Sequence, residues 1–231
     1  MPTLPAALAD RAERWFGRPA TVTDVKAVSP SLVRVTFAGD LMRGRHWHPG
    51  NEVEFRVSDH HLRHYTPARF DTATGTFDVM FCTVAGGPGT GWALGLRPGS
   101  PVTVIGPSPS VRWRGGLRPL LLGDATTLGL LTALAGATLE PGPFGAVEVP
   151  AEDVPAVARL MPHLDVLAAC AEPGAALCAW VAERSLVGTD RAYVAGHAGT
   201  VQRLRNLLRE TGLPRGSITG KAYWATGRAG L

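Results

Sequence analysis

"RWRGGLRPLLLG", residues 112–123, is where the hydrophobic pattern of the chain changes its period. On its N-terminal side, from about Thr21 to Gly106, apolar residues recur every second position. In "LVRVTFAG" Val33, Val35 and Phe37 alternate with Arg34 and Thr36; in "EVEFRV" Val53, Phe55 and Val57 alternate with Glu52, Glu54 and Arg56. Such alternation marks strands with one buried and one wet face. "GTFDVMFCTV" and "SPVTVIG" extend the set, with Gly/Pro turns between. The expected structure is a six-stranded antiparallel Greek-key β-barrel. On the C-terminal side "PLLLG" is a continuous apolar run, as in a strand covered on both faces. Strand-like and helix-like segments then alternate: "TTLGLLTALAGA", "GAVEVP", "AEDVPAVARLM", "DVLAAC", "GAALCAWVAERS", "RAYVAG", "GTVQRLRNLLRET", "ITGKAYW". That order predicts a doubly wound parallel α/β sheet, whose ligands bind at the carboxyl ends of its strands. The expected division is 1–114 for the barrel domain, with a short N-terminal helix, and 115–231 for the α/β domain.

Composition narrows the class. The chain has 231 residues, 45% of them hydrophobic and 18% charged, with 28 glycines and 19 prolines: a turn-rich globular protein. The net charge is +4, but 21 of the 23 basic residues are Arg and no Lys/Arg stripe carries interleaved aromatics, so no nucleic-acid partner is expected. Cys82, Cys170 and Cys178 are odd in number and include no CxxC, which argues for a reducing compartment and against a cysteine metal site. "MPTLPAALADRAERWF" reads as a short amphipathic helix through Leu8, Ala12, Trp15 and Phe16, not as a secretory signal. No run is long enough for a membrane span. A cytoplasmic protein is expected.

Three motifs carry candidate chemistry. "RHYT", Arg63 to Thr66, places a planar cation, an aromatic face and a hydroxyl within four positions, a set suited to a flavin's pyrophosphate, its ring or ribityl chain, and its N5. An ordinary strand with one exposed Arg is the alternative. "AGGPGTGWALGLRPG", Ala85 to Gly99, offers glycines for close backbone approach and Thr90 to cap a short helix, an anion site; a Gly-rich hairpin is the alternative. "GDATTLGLL" joins the first buried strand to its helix, where Asp124, Thr126 and Thr127 would meet nicotinamide phosphates; it lacks the Gly-x-Gly-x-x-Gly fingerprint and reads equally as a capped helix. Glu148, at the end of the next strand, would bind a ribose 2′-OH and favour NADH over NADPH, or simply be a solvated Glu. The histidine clusters at 46/48 and 60/61/64 have no carboxylate or thiol at ligand spacing and read as surface residues, so no metal site is expected.

These elements, in this order, resemble the siderophore-interacting protein family, flavin-dependent ferric-siderophore reductases of the ferredoxin-reductase superfamily. The resemblance runs through "RHYTPARFD", "GGPGTGWA", "LLLGDATTLGLL", "AYVAGHAGTVQRLRNLL" and "YWATG". It implies FAD as cofactor, held by Arg63, Tyr65 and Thr66, by Gly87, Gly89, Thr90 and Trp92, and by Cys82 where the family often has His, with Thr66 as the catalytic contact. It implies NADH or NADPH at Asp124, Thr126, Thr127 and Gly196, and an acidic ferric chelate near Lys221 and Trp224. The chain departs from the family at Ala125, Gly129 and His197, all in the nicotinamide half. The rival expectation is therefore a flavin-binding protein on the same scaffold that does not use NAD(P)H, such as a ferredoxin-reduced carrier or a biosynthetic flavoprotein.

Overall fold

The computed structural model describes residues 6–40, 43–44, 46–84, 86–139 and 142–228, except for the side chains of residues 6–9 and 12. Leu8 and Ala12 of the expected helix face, and Ala85 of the glycine-rich stretch, therefore lie outside what is described. The chain divides into two units, Met1–Arg112 and Trp113–Leu231. Trp113 and Arg114 belong to the second: the Trp113 ring lies 4.8 Å from that of Tyr193, whose hydroxyl accepts from the Arg114 N–H at 3.0 Å.

The first unit begins with helix α1 (Ala6–Phe16) and strands β1 (Arg18–Ser29), β2 (Leu32–Ala38), β3 (Glu52–Ser58), β4 (His61–Tyr65), β5 (Arg69–Asp71) and β6 (Thr76–Cys82). Helix α2 (Pro88–Gly95) and strand β7 (Pro101–Ser108) complete it. The strands form one antiparallel sheet in the order β4-β3-β7-β1-β2-β6-β5. It has seven strands where six are expected. The extra one, β5, is only three residues, too short to display a period of two in sequence. The sheet curls instead of lying flat, as ring contacts between distant strands show. Phe37 on β2 and Phe55 on β3, two places apart from being neighbours, sit 5.0 Å apart; Tyr65 on β4 lies 4.6 Å from Phe81 on β6. Phe37, Phe55, Phe77, Val35 and Val79 are buried inside the curl, as alternation predicts, while Thr36 on the outer face donates to Asp78 across the β2–β6 pair at 2.7 Å.

The second unit alternates strand and helix: β8 (Leu120–Asp124), α3 (Leu128–Gly136), β9 (Phe144–Val149), α4 (Val154–Leu160), β10 (Asp165–Ala168), α5 (Ala175–Glu183), β11 (Ala192–His197), α6 (Ala198–Glu210) and β12 (Ile218–Trp224). Its five strands are parallel, in the order β10-β9-β8-β11-β12. The chain winds outward from β8 in one direction and then returns to add β11 and β12 on the other side. The order thus reverses between β8 and β11, the place where open α/β sheets bind ligands. Leu120, Leu121 and Leu122 are fully buried, as expected of a strand covered on both faces.

Phe37 stacks on Phe77 at 5.1 Å and touches Phe55, so the curl closes around it. Phe37→Ala should cost about 3–5 kcal/mol through the cavity it leaves. Urea unfolding followed by far-UV circular dichroism measures this; a loss below about 1 kcal/mol would mean that the curl does not depend on this ring.

Candidate flavin and nucleotide sites

In the first unit, the β3–β4 ladder pairs Val53 with Tyr65 and Phe55 with Arg63, so both motif side chains share the face of the sheet that carries the core. The Tyr65 ring is wedged against Phe81 and, at 6.0 Å, Phe55. Burial pushes its phenol up to about 12, although the neighbouring Arg63 charge pulls it down. Tyr65 therefore keeps its proton, and can donate, throughout the physiological range. The Arg63 guanidinium donates to the Leu62 carbonyl at 2.9 Å through one nitrogen. Thr66, directly after β4, is buried.

Helix α2 follows the glycine-rich loop. Its cap is Gly87, at φ 145, and no side chain caps it. This differs from the expected Thr90 cap: Thr90 lies in the first turn, because Pro88 takes the first helical position. The Gly91 N–H bonds the Gly87 carbonyl at 3.0 Å, which leaves the Gly89 and Thr90 N–H groups without intrahelical acceptors, Pro88 having none to offer. A Cβ on Gly89 would stand 2.7 Å from the Tyr65 hydroxyl oxygen and 3.8 Å from Arg63 Cγ. A Cβ on Gly86, Gly87 or Gly91 would meet nothing within 4 Å. The two motifs, 25 residues apart in sequence, thus touch, beside a backbone that lies open at the other glycines. Free amide donors, a guanidinium and glycine-only approach suit a diphosphate, so these residues fit FAD. Cys82 ends β6 half-buried. Trp92 turns inward, its ring 5.0 Å from Phe55 and 5.9 Å from Phe81, and so fastens α2 to the core.

His64 points to the opposite side of β4 from Arg63 and Tyr65. Its two ring nitrogens face Glu52 Oε1 at 3.3 Å and Glu54 Oε1 at 3.2 Å. Burial raises the Glu54 carboxyl above its ordinary value, with His64 lowering it and Glu52 raising it.

In the second unit, Asp124, Thr126, Thr127, Gly196 and Trp224 come together at the carboxyl ends of β8, β11 and β12. Asp124 Oδ1 accepts from the Thr126 N–H (3.0 Å) and hydroxyl (2.5 Å). Its Oδ2 accepts from the His197 N–H (2.8 Å) and the Trp224 indole N–H (2.9 Å). Four donors fill the capacity of a carboxylate. Gly196 is at φ 121, and a Cβ there would lie 2.2 Å from Asp124 Oδ2. Its role is to let that carboxylate reach β11. Thr127, fully buried, donates to the Asp124 carbonyl at 2.7 Å. His197 caps α6 by accepting from the Thr200 N–H through Nδ1, while its ring lies 4.6 Å from that of Trp224. The expected nicotinamide residues are therefore brought together, but bonded to one another. The Lys221 ammonium lies 5.9 Å from the Tyr223 ring.

Glu148 corrects an expectation. It is buried, and its carboxylate accepts from the N–H groups of Gly174 (2.8 Å), Ala176 (3.1 Å) and Leu177 (3.4 Å) at the start of α5. A carboxylate committed to a helix N-terminus is not available to a ribose, so Glu148 sets no preference for NADH over NADPH. Spacing from the strand alone could not reveal this, because the cap residue of the helix that takes the charge, Gly174, lies 26 residues later. The imidazole cap of His197 was likewise missed; His preceding Ala-Gly-Thr at a strand end was its only trace.

A curled antiparallel sheet with a glycine-opened helix, followed by a doubly wound parallel sheet, is a fold that solved ferredoxin reductases share. Within that class the resemblance is to siderophore-interacting proteins. Residues 51–111, which hold both flavin motifs, match the siderophore-interacting FAD-binding domain. The fold is similar to a siderophore utilization protein from T. fusca (25% identity, TM-score 0.77, covering 93% of this chain and 95% of that one). It is similar, too, to the siderophore-interacting protein of Acinetobacter baumannii (18%, 0.77, 92% and 92%). The ferredoxin reductase of carbazole 1,9a-dioxygenase shares the fold more distantly (19%, 0.73, 90% and 69%). Over 228 residues the chain is 29% identical to the mycobactin import ATP-binding/permease protein IrtA of Mycobacterium tuberculosis. That match covers 89% of this chain and 24% of the relative, so the chain spans about a quarter of that protein's length.

Gly89→Ala should drive a methyl into the Tyr65 hydroxyl and lower FAD retention about tenfold. Adding Tyr65→Phe removes the obstructing oxygen, so the double variant should retain FAD as well as Tyr65→Phe alone. Equal losses in the single and double variants, measured by the flavin-to-protein absorbance ratio after gel filtration, would refute the contact.

Proposed function

We propose that the chain is an FAD-dependent oxidoreductase that takes hydride from NADH or NADPH and delivers single electrons to a ferric chelate of the siderophore class, releasing Fe(II). The observation that carries this reading is the close approach of Gly89 to Tyr65 and Arg63, which sets the Arg63 side chain beside the open first turn of α2. Bound FAD supplies a two-electron acceptor that can give its electrons up one at a time.

The residues divide the work. Arg63 offsets the diphosphate charge, and the N–H groups of Gly89 and Thr90, with Gly87 beside them, bind its oxygens. Tyr65 offers a phenol that keeps its proton. Thr66 is assigned the hydrogen bond to the ring's N5, and Cys82 a place at the ring's margin. Trp92 acts indirectly by holding α2 to the core. Lys221 would attract an acidic chelate, and Trp224 would offer its ring face to one; iron is the substrate's own and needs no ligand from this chain. Catecholate and hydroxamate oxygens hold Fe(III) far better than Fe(II), so reduction itself frees the metal. Asp124, Thr126, Thr127 and Gly196 form the expected nicotinamide platform.

A second reading has its own observation. Because Thr126 is bonded to Asp124, and Asp124 also to β11 and β12, these side chains offer a dinucleotide little. The same scaffold would then be reduced by a protein donor such as a ferredoxin.

Under anaerobic conditions, NADH or NADPH should abolish the flavin's blue absorption band, and a ferric chelate should restore it with release of Fe(II). A protein that stays yellow with both nucleotides but bleaches with reduced ferredoxin fits the second reading. Arg63→Ala should weaken FAD binding roughly 10- to 100-fold, the cost of leaving a charge without its partner. Unchanged occupancy would remove Arg63 from the site. Thr66→Val should keep FAD bound while shifting its potential or reduction rate; if neither moves, Thr66 has no role at N5.

A further inference from the structure

Helix α1 is pinned to the curled sheet by its acidic side. Arg56, on the outer face of β3, donates to Asp10 Oδ1 at 2.5 Å and Glu13 Oε2 at 3.1 Å. The helix ends where the Gly17 N–H bonds the Glu13 carbonyl at 2.8 Å, and a Cβ on Gly17 would stand 2.5 Å from Thr103 Cγ2 of β7. What this leaves outward is unusual for a surface helix. Trp15 and Phe16 are 68% and 64% exposed. With Arg18 they line a groove completed by Ile105, Pro107 and Ser108 of β7. Arg11, Arg14 and Arg18 are exposed as well, and Arg11, Arg14 and Trp15 follow the i, i+3, i+4 spacing of one helix face. Among the described residues neither Arg11 nor Arg14 has an ion pair, while the two carboxylates nearest them on the helix are taken by Arg56.

We infer that this face docks on an anionic lipid surface. Rings half in and half out of water beside arginines are what the boundary between acyl chains and headgroups accepts. Anionic headgroups supply the missing counter-charge. A second copy of the chain fits less well: a two-fold contact through this patch would set its arginines against themselves. No helix among the described residues is long and apolar enough to cross a membrane. The docking concerns a face of the sheet away from the Arg63/Tyr65 side of β4, and it stands or falls independently of the flavin reading.

Vesicle flotation of the full chain tests it, with phosphatidylcholine alone against an equal mixture with phosphatidylglycerol. Binding to the anionic vesicles should exceed binding to the neutral ones by about tenfold or more and fall with added salt. Arg11→Glu/Arg14→Glu should erase the difference. Trp15→Ser/Phe16→Ser should lower anionic binding about tenfold or more. Both variants spare the Arg56 contacts and should melt like the parent. Equal partitioning onto both vesicles overturns the inference, as does anionic binding that both variants leave unchanged. A dimer seen by sedimentation without lipid, and dissolved by Trp15→Ser/Phe16→Ser, overturns it in favour of a second copy.

Discussion

An antiparallel sheet can carry a ligand loop against its own terminal strand only if it curls, and curling needs large side chains to fill the inside. Phe37 meets that need. It stacks on Phe77, its ladder partner on β6, and reaches Phe55 on β3, with which β2 does not pair, closing the interior. Each such ring contributes about 1.5–3 kcal/mol by leaving water. Phe55 and Phe81 then grip Tyr65 and Trp92 from the same interior. The strand with Arg63 and the helix with Gly89 thus hang on one aromatic cluster. Cofactor geometry and fold stability are the same problem in this unit.

The second unit meets a different constraint, the partial positive charge at helix N-termini. Three of its helical segments begin at side chains that satisfy their amides: Asp124 before α3, Glu148 at α5 and His197 at α6. Each satisfied terminus is one that cannot serve an external phosphate without rearrangement. In the first unit, α2 begins at a bare glycine. A glycine cap leaves amides open on the flavin side that side-chain caps occupy in the second unit.

Much of this was legible in sequence. Alternation in "EVEFRV" and "LVRVTFAG" marks strands whose inward residues the structure buries, and the run "PLLLG" marks a strand covered on both faces. Strand β5 escaped because three residues cannot show a period. The glycine loop and the Arg-x-Tyr-Thr element could be associated by chemistry, yet their contact through Gly89 depends on the curl, which no local pattern encodes. Glu148 and His197 were misread or missed for a related reason. A polar side chain at a strand end looks the same in sequence whether it faces a ligand or an amide of its own protein.

The ends of the two sheets differ in how they guard against misassociation. β4 and β5, at five and three residues, and β10, at four, give a stray chain almost no ladder to extend. β12, at seven, is the long edge, interrupted by Gly220, charged at Lys221, and out of step with β11 where Gly196 gives way to His197. That break in pairing regularity, which also carries Trp224 to Asp124, makes the strand a poor template for amyloid-like growth.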